Sequence, residues 1–80
     1  MKPFELGEKI KLLRKEKKLT QRELANRAGI SRQTLSHLEN GKIGAVSIRV
    51  LIVILNELGY ELDIKPKNQI LPPLGEELDL

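Results

Sequence analysis

Two short helical segments, each opened by its own hydroxyl cap and parted by one glycine, constrain this chain more than any other feature. Thr20 with Glu23 three residues on makes a capping box, in which hydroxyl and carboxylate each satisfy a free backbone N–H, so a helix is predicted from about Gln21 to Arg27. Leu24, Ala25 and Ala28 give it one apolar side. Gly29 takes a left-handed backbone at no steric cost, which ends that helix and turns the chain. Ser31 then caps a second helix, about Arg32 to Glu39, with Leu35 and Leu38 facing inward and Asn40 and Gly41 closing it. Two helices meeting across so short a turn form a helix-turn-helix.

The flanking segments supply what this pair must pack against. Leu6, Ile10, Leu12 and Leu13 recur at helical spacing among charged residues and predict a first helix from about Leu6 to Lys17. Beyond a loop through Gly44, Ser47 caps a helix from Ile48 to Leu58 that Gly59 ends. Leu51, Ile54, Leu55 and Leu58 form one face of it, while Ile48, Val50, Ile52 and Val53 are apolar on the others, more than one small core covers. Tyr60, Leu62 and Ile64 alternate with Glu61, Asp63 and Lys65 until Pro66, the period of a single strand. Either this strand pairs with the same strand of a second copy across a two-fold axis, or it is an extended segment packed on the fourth helix.

Eighty residues make one small domain whose core is marginal alone, and without cysteine neither disulfides nor thiolate metal sites staple it. Oligomerisation is the remaining support. The longest apolar run, Val50 to Leu55, is far short of a membrane span and no apolar leader precedes the charged residues, so a cytoplasmic protein with no membrane partner is expected. Residues 1 to 42 hold eleven Lys or Arg against five Asp or Glu, whereas residues 43 to 80 hold three against six. A basic amino-terminal half suits a polyanion through counterion release, and it equally suits a solvated lysine-rich surface. Serine, acid and histidine residues show no catalytic spacing and there is no phosphate loop, so an enzyme is not expected. One histidine with neither cysteine nor a nearby acidic cluster argues against metal, and no cofactor is expected. Phe4 and Tyr60 lie outside the basic segment and give single-stranded RNA no stacking platform.

From Gly7 to about Leu58 the chain resembles the Cro and phage-repressor (XRE) helix-turn-helix family, through L-T-Q-R-E-L-A and then A-G-I-S-R-Q-T-L-S-H-L-E-N-G-K. The strand G-Y-E-L-D-I-K-P and following tail are similar to the carboxy-terminal arrangement of HipB-type antitoxins, whose strands pair between subunits. The resemblance implies an all-α, lambda-repressor-like fold of four to five helices, with one short strand paired across a homodimer. It divides the chain into a DNA-binding and dimerisation domain at 1–66 and a flexible or partner-binding tail at 67–80.

The same resemblance assigns roles to residues. Gln21 grips a backbone phosphate at the positive end of its helix, or is an ordinary exposed glutamine. Arg32, Gln33 and Thr34 sit in the first turn of the recognition helix, where Arg reads guanine O6 and N7 and Gln reads adenine N6 and N7. Ser31 caps that helix and adds a phosphate contact; Asn40 and Lys42 grip phosphate just beyond it, or are an ordinary cap and a free lysine. His37 either reaches DNA or is a plain surface histidine. Arg14 and Glu39 align with a buried structural ion pair. Val50, Val53, Tyr60, Leu62 and Ile64 are the candidate dimerisation residues. The implied function is a dimeric repressor of double-stranded DNA on a palindromic operator, or an antitoxin that also binds a toxin, a HipA-like kinase, and represses its own operon.

Overall fold

Helix ends organise this molecule. The computed structural model describes residues 2–67, with α1 at Pro3–Glu16, α2 at Gln21–Ala28, α3 at Arg32–Glu39 and α4 at Ile48–Glu57, and a short 3-10 helix at Ile43–Ala45 between the last two. The tail expected at 67–80 lies, from residue 68 onward, outside the described residues. Caps read from sequence hold three helix starts. Thr20 Oγ1 accepts the Glu23 N–H at 3.0 Å while Glu23 Oε1 accepts the Thr20 N–H at 2.8 Å. Ser31 Oγ accepts from the Thr34 N–H at 3.0 Å, and Ser47 Oγ from the Val50 N–H at 3.2 Å. The Thr20 N–H holds the Glu23 carboxyl below the usual carboxylate range. Its contribution is therefore complete at neutral pH and fades as the pH falls through that lowered value.

α1 begins three residues before the predicted Leu6. Proline is favoured at a first helical position because its missing N–H has no intrahelical partner there, and the Lys2 N–H is taken up by Glu5 Oε1 at 2.7 Å. Half-exposed Phe4 contributes nothing to the apolar stripe from which the start was read. α2 runs one residue further than predicted, to Ala28, and α4 stops at Glu57, leaving Leu58 as a fully buried cap residue.

All four α-helices close in the same way. The N–H of a left-handed residue and the N–H after it fold back onto carbonyls of the last turn, as in Gly59 N–H to Asn56 O at 3.0 Å and Tyr60 N–H to Leu55 O at 2.8 Å. Gly29, Gly41 and Gly59 hold this position for α2, α3 and α4 with φ of 74°, 96° and 85°. At the end of α1 the position is Lys18, with φ 59°, its N–H on Lys15 O at 2.9 Å and that of Leu19 on Arg14 O at 3.1 Å.

The core joins Ile10 of α1, Leu24 and Ala25 of α2, Leu35 and Leu38 of α3, and Leu51, Ile54, Leu55 and Leu58 of α4 and its cap. Each is an inward position expected from the periodicity. Val50 packs half-buried on this core and Val53 is half-buried, whereas Ile48 and Ile52 remain exposed. The strand expected at Tyr60 to Lys65 is not formed, and no strand occurs among the described residues. A strand needs a ladder partner, and nothing among the described residues supplies it. Tyr60 instead borders an apolar groove of about 310 Å³ with Leu6, Leu12 and Leu13 of α1 and Leu55 of α4. No helix among the described residues is long and apolar enough to cross a membrane.

A left-handed lysine keeps a Cβ clash that glycine lacks. Lys18→Gly should therefore raise stability by about 0.5–1 kcal/mol, measured as the shift in the midpoint of chemical denaturation.

Candidate nucleic-acid interface

The surface of α3 is sorted by its own cap. Ser31 Oγ, besides accepting the Thr34 N–H, lies 2.8 Å from Thr34 Oγ1, so the hydroxyls of two predicted DNA contacts are joined to each other at the start of the helix. Thr34 is half-buried, while Arg32 and Gln33 of the same turn are exposed. His37, one turn beyond Gln33, is exposed, as are Asn40 and Lys42 past the helix end. The one acid of α3, Glu39, is buried at 4% exposure, so the outward side of the helix carries no negative charge.

Burial of Glu39 is made tolerable by Arg14. Arg14 Nε donates to Glu39 Oε2 at 2.7 Å and Nη2 to Oε1 at 3.2 Å, a two-point pairing of planar groups. Its remaining nitrogen, Nη1, donates to the Leu19 carbonyl at 2.8 Å, which holds the turn between α1 and α2 against the end of α3. The ion pair expected from the resemblance is therefore present. A residue that sequence reasoning passed over makes room for it. A Cβ on Gly7 would collide with the Leu38 carbonyl and stand 2.8 Å from that of Glu39, so α1 approaches the end of α3 only because position 7 has no side chain. The signal was spacing: Gly7, Ile10 and Arg14 form the buried stripe of α1.

Gln21, the expected phosphate contact, also has partners within the protein. Its Nε2 donates to Glu39 Oε1 at 2.9 Å and its Oε1 accepts from Arg32 Nη1 at 3.0 Å. Gln21, Arg32, Arg14 and Glu39 thus form one cluster running from the core to the exposed face. Gln33, His37, Asn40 and Lys42 are exposed and have no side-chain partner among the described residues. Val50 and Val53 on α4, and Tyr60, Leu62 and Ile64 after it, belong to other elements and take no part in the cluster. Among the described residues no group of three His, Cys, Asp or Glu is arranged to hold a metal ion.

This geometry is two short helices held at a glycine turn with Arg32 and Gln33 of the second one's first turn exposed, and the helix-turn-helix family model matches residues 10–65. The chain belongs to the helix-turn-helix family. Within that family it is similar to antitoxin PezA of Streptococcus pneumoniae, 39% identical over 72 residues, covering 89% of this chain and 45% of that protein. It is similar also to the immunity repressor protein of Bacillus phage phi105, 37% identical over 57 residues, or 71% of this chain and 39% of the repressor. A third relative, an uncharacterised HTH-type transcriptional regulator of Sinorhizobium fredii named y4mF, is 37% identical over 62 residues, 78% of this chain and 80% of its own length. The chain spans less than half the length of the first two relatives. The Cro and phage-repressor type of helix-turn-helix recognised from the residues is thus the family shown.

In a helix-turn-helix held this way, Arg14→Ala should cost about 3–5 kcal/mol, because Glu39 would stay buried without its partner. Chemical denaturation measures it, and Arg14→Met with Glu39→Leu should recover much of the loss, since no charge then remains uncompensated.

Proposed function

We propose that this chain is a non-enzymatic transcriptional repressor that binds double-stranded DNA, with α3 in the major groove. One observation carries the reading: the first turn of α3 bares Arg32 and Gln33 while the helix's single acid is turned into the core. Arg32 and Gln33 are the base readers, and Thr34, with its hydroxyl on Ser31, presents its methyl group to the groove floor. Ser31, Asn40 and Lys42 border the helix as phosphate contacts and His37 extends the reading face by one turn. Similarity to a phage immunity repressor and to an HTH-type transcriptional regulator supports this assignment.

In this reading residues 1–66 also dimerise. Ile48 at 65% and Ile64 at 95% exposure are apolar side chains that a second copy would cover, together with Val50, Val53, Tyr60 and Leu62. Pairing of the segment 60–65 between copies would give its backbone the ladder that a single chain lacks. A two-fold dimer then reads a palindromic operator with half-sites about 34 Å apart. Selection of preferred duplexes from random DNA should return inverted repeats of that spacing, with affinity falling steeply as salt rises. Arg32→Glu should abolish preference for the selected duplex at an unchanged thermal midpoint; binding equal to wild type would sink the major-groove reading.

A second reading is favoured by the match to antitoxin PezA across 89% of this chain. Here the chain is an antitoxin that binds a toxin protein through the acidic, leucine-containing residues 67–80 and represses its own operon. A chain ending at Pro66 should keep its DNA affinity and lose toxin binding, measured by co-purification with the product of a neighbouring gene. If every interaction survives that truncation, the antitoxin reading fails.

A further inference from the structure

We propose that Asn40 and Gly41 form a self-modifying site that the closure of α3 holds inactive: when the closure opens, Asn40 loses its amide nitrogen as ammonia and becomes an acid. The chemistry stands by itself, and only its consequence for DNA rests on the reading of α3 as a major-groove helix.

Of the four asparagines, at 26, 40, 56 and 68, Asn40 alone is followed by glycine. A glycine nitrogen is the least crowded nucleophile a backbone offers, since no Cβ stands beside it. After losing its proton to hydroxide, the Gly41 nitrogen attacks Cγ of Asn40. The new N–C bond closes an imide ring and the side-chain NH2 leaves as ammonia. Water then opens the ring. Cleavage at Cγ leaves aspartate, whereas cleavage at the backbone carbonyl leaves isoaspartate, whose main chain runs through the former side chain with one extra carbon. By either route one water is consumed, ammonium is released and nothing is oxidised.

The folded geometry holds the reacting atoms apart. Asn40 is exposed, but as the cap residue of α3 it has ψ 10°. The Gly41 nitrogen therefore nearly eclipses the nitrogen of Asn40 and lies about a third of a turn from its Cβ, on the wrong side for ring closure. The proton to be lost is also in use. Gly41 N–H donates to Leu38 O at 2.9 Å, and Lys42 N–H to His37 O at 3.0 Å. Rotating ψ of Asn40 breaks both bonds and shifts Gly41, where an added Cβ would stand 2.9 Å from Phe4 Cα of α1. Asn40 thus reacts only in molecules whose α3 end has come undone, and the rate follows the population of that open state.

The product does not restore what opened. A carboxylate at position 40 lies next to Glu39 at the negative end of the α3 dipole. Isoaspartate, for its part, lengthens the backbone just where Gly41 must meet Leu38. On the proposed DNA face the new charge stands where Asn40 would meet a phosphate. A chain left open long enough is permanently marked, and on refolding it is less stable and binds less tightly.

The full chain is aged at mildly alkaline pH in buffer and in guanidinium chloride above its unfolding midpoint. Mass spectrometry follows each asparagine peptide, with chromatography separating aspartate from isoaspartate. In denaturant Asn40 should convert about ten-fold faster than Asn26, Asn56 or Asn68. In buffer its conversion should be slower by about a hundred-fold or more. Asn40→Gln, which would have to close a larger ring, should show no fast site in denaturant. Converted chain, purified and returned to buffer, should have a lower thermal midpoint than chain unfolded only briefly, and should bind the selected duplex about ten-fold more weakly.

Conversion at Asn40 no faster than at the other asparagines overturns the inference. Equal rates in buffer and denaturant overturn it as well, because the fold then guards nothing. So does a converted chain with an unchanged midpoint. A fresh chain that selects no duplex overturns the groove reading instead, and the inference is then decided by mass and midpoint alone.

Discussion

Four separate parts of the chain converge on the Arg14 guanidinium and the Glu39 carboxylate. α1 contributes the arginine, the turn after it the Leu19 carbonyl, α2 the amide of Gln21, and α3 the acid itself. Taking two charges out of water is expensive, and the attraction between them offsets that cost only when geometry is good and the other polar atoms have partners. All three guanidinium nitrogens and both carboxylate oxygens are engaged here. Apolar packing alone allows small rotations of α3 over Leu35 and Leu38, whereas a planar two-point pairing at the last residue of the helix does not. Burial supplies the favourable energy of the fold; this pair supplies the angle.

Most of the architecture was legible because helix ends have chemistry of their own. Thr20, Ser31 and Ser47 each accept the N–H that their position demands, and Gly29, Gly41 and Gly59 each stand where the backbone turns left-handed. The misses are equally physical. Pro3 opens α1 ahead of any apolar repeat, so periodicity started the helix late. Lys18 does a glycine's work with no glycine to mark it. Gly7 reads as a weak helix former until the carbonyls of Leu38 and Glu39 are seen against it.

At the candidate site, the residue types and their exposure were readable, since Arg32, Gln33 and His37 follow directly from helical phase once Ser31 is the cap. The partnership of Gln21 with Glu39 and Arg32 was not, because it joins residues 18 and 11 positions apart whose encounter depends on the turn geometry. The segment after α4 shows a different limit. Alternation from Tyr60 to Lys65 describes a ribbon with two faces, but pattern alone carries no ladder, and hydrogen bonds decide whether a strand exists.

The brevity of α2 and α3 has its own consequence. Each is eight residues long, whereas isolated helices shorter than about 12–15 residues are marginal in water because nucleating the first turn is unfavourable. Neither helix therefore has an independent life. Cooperativity makes α3 and the core a single thermodynamic unit, so a chain that has partly melted does not keep α3 on its own. The DNA binding proposed for it is therefore lost all at once, and a loss of stability anywhere in the core registers as a smaller folded population in which each folded molecule is unchanged.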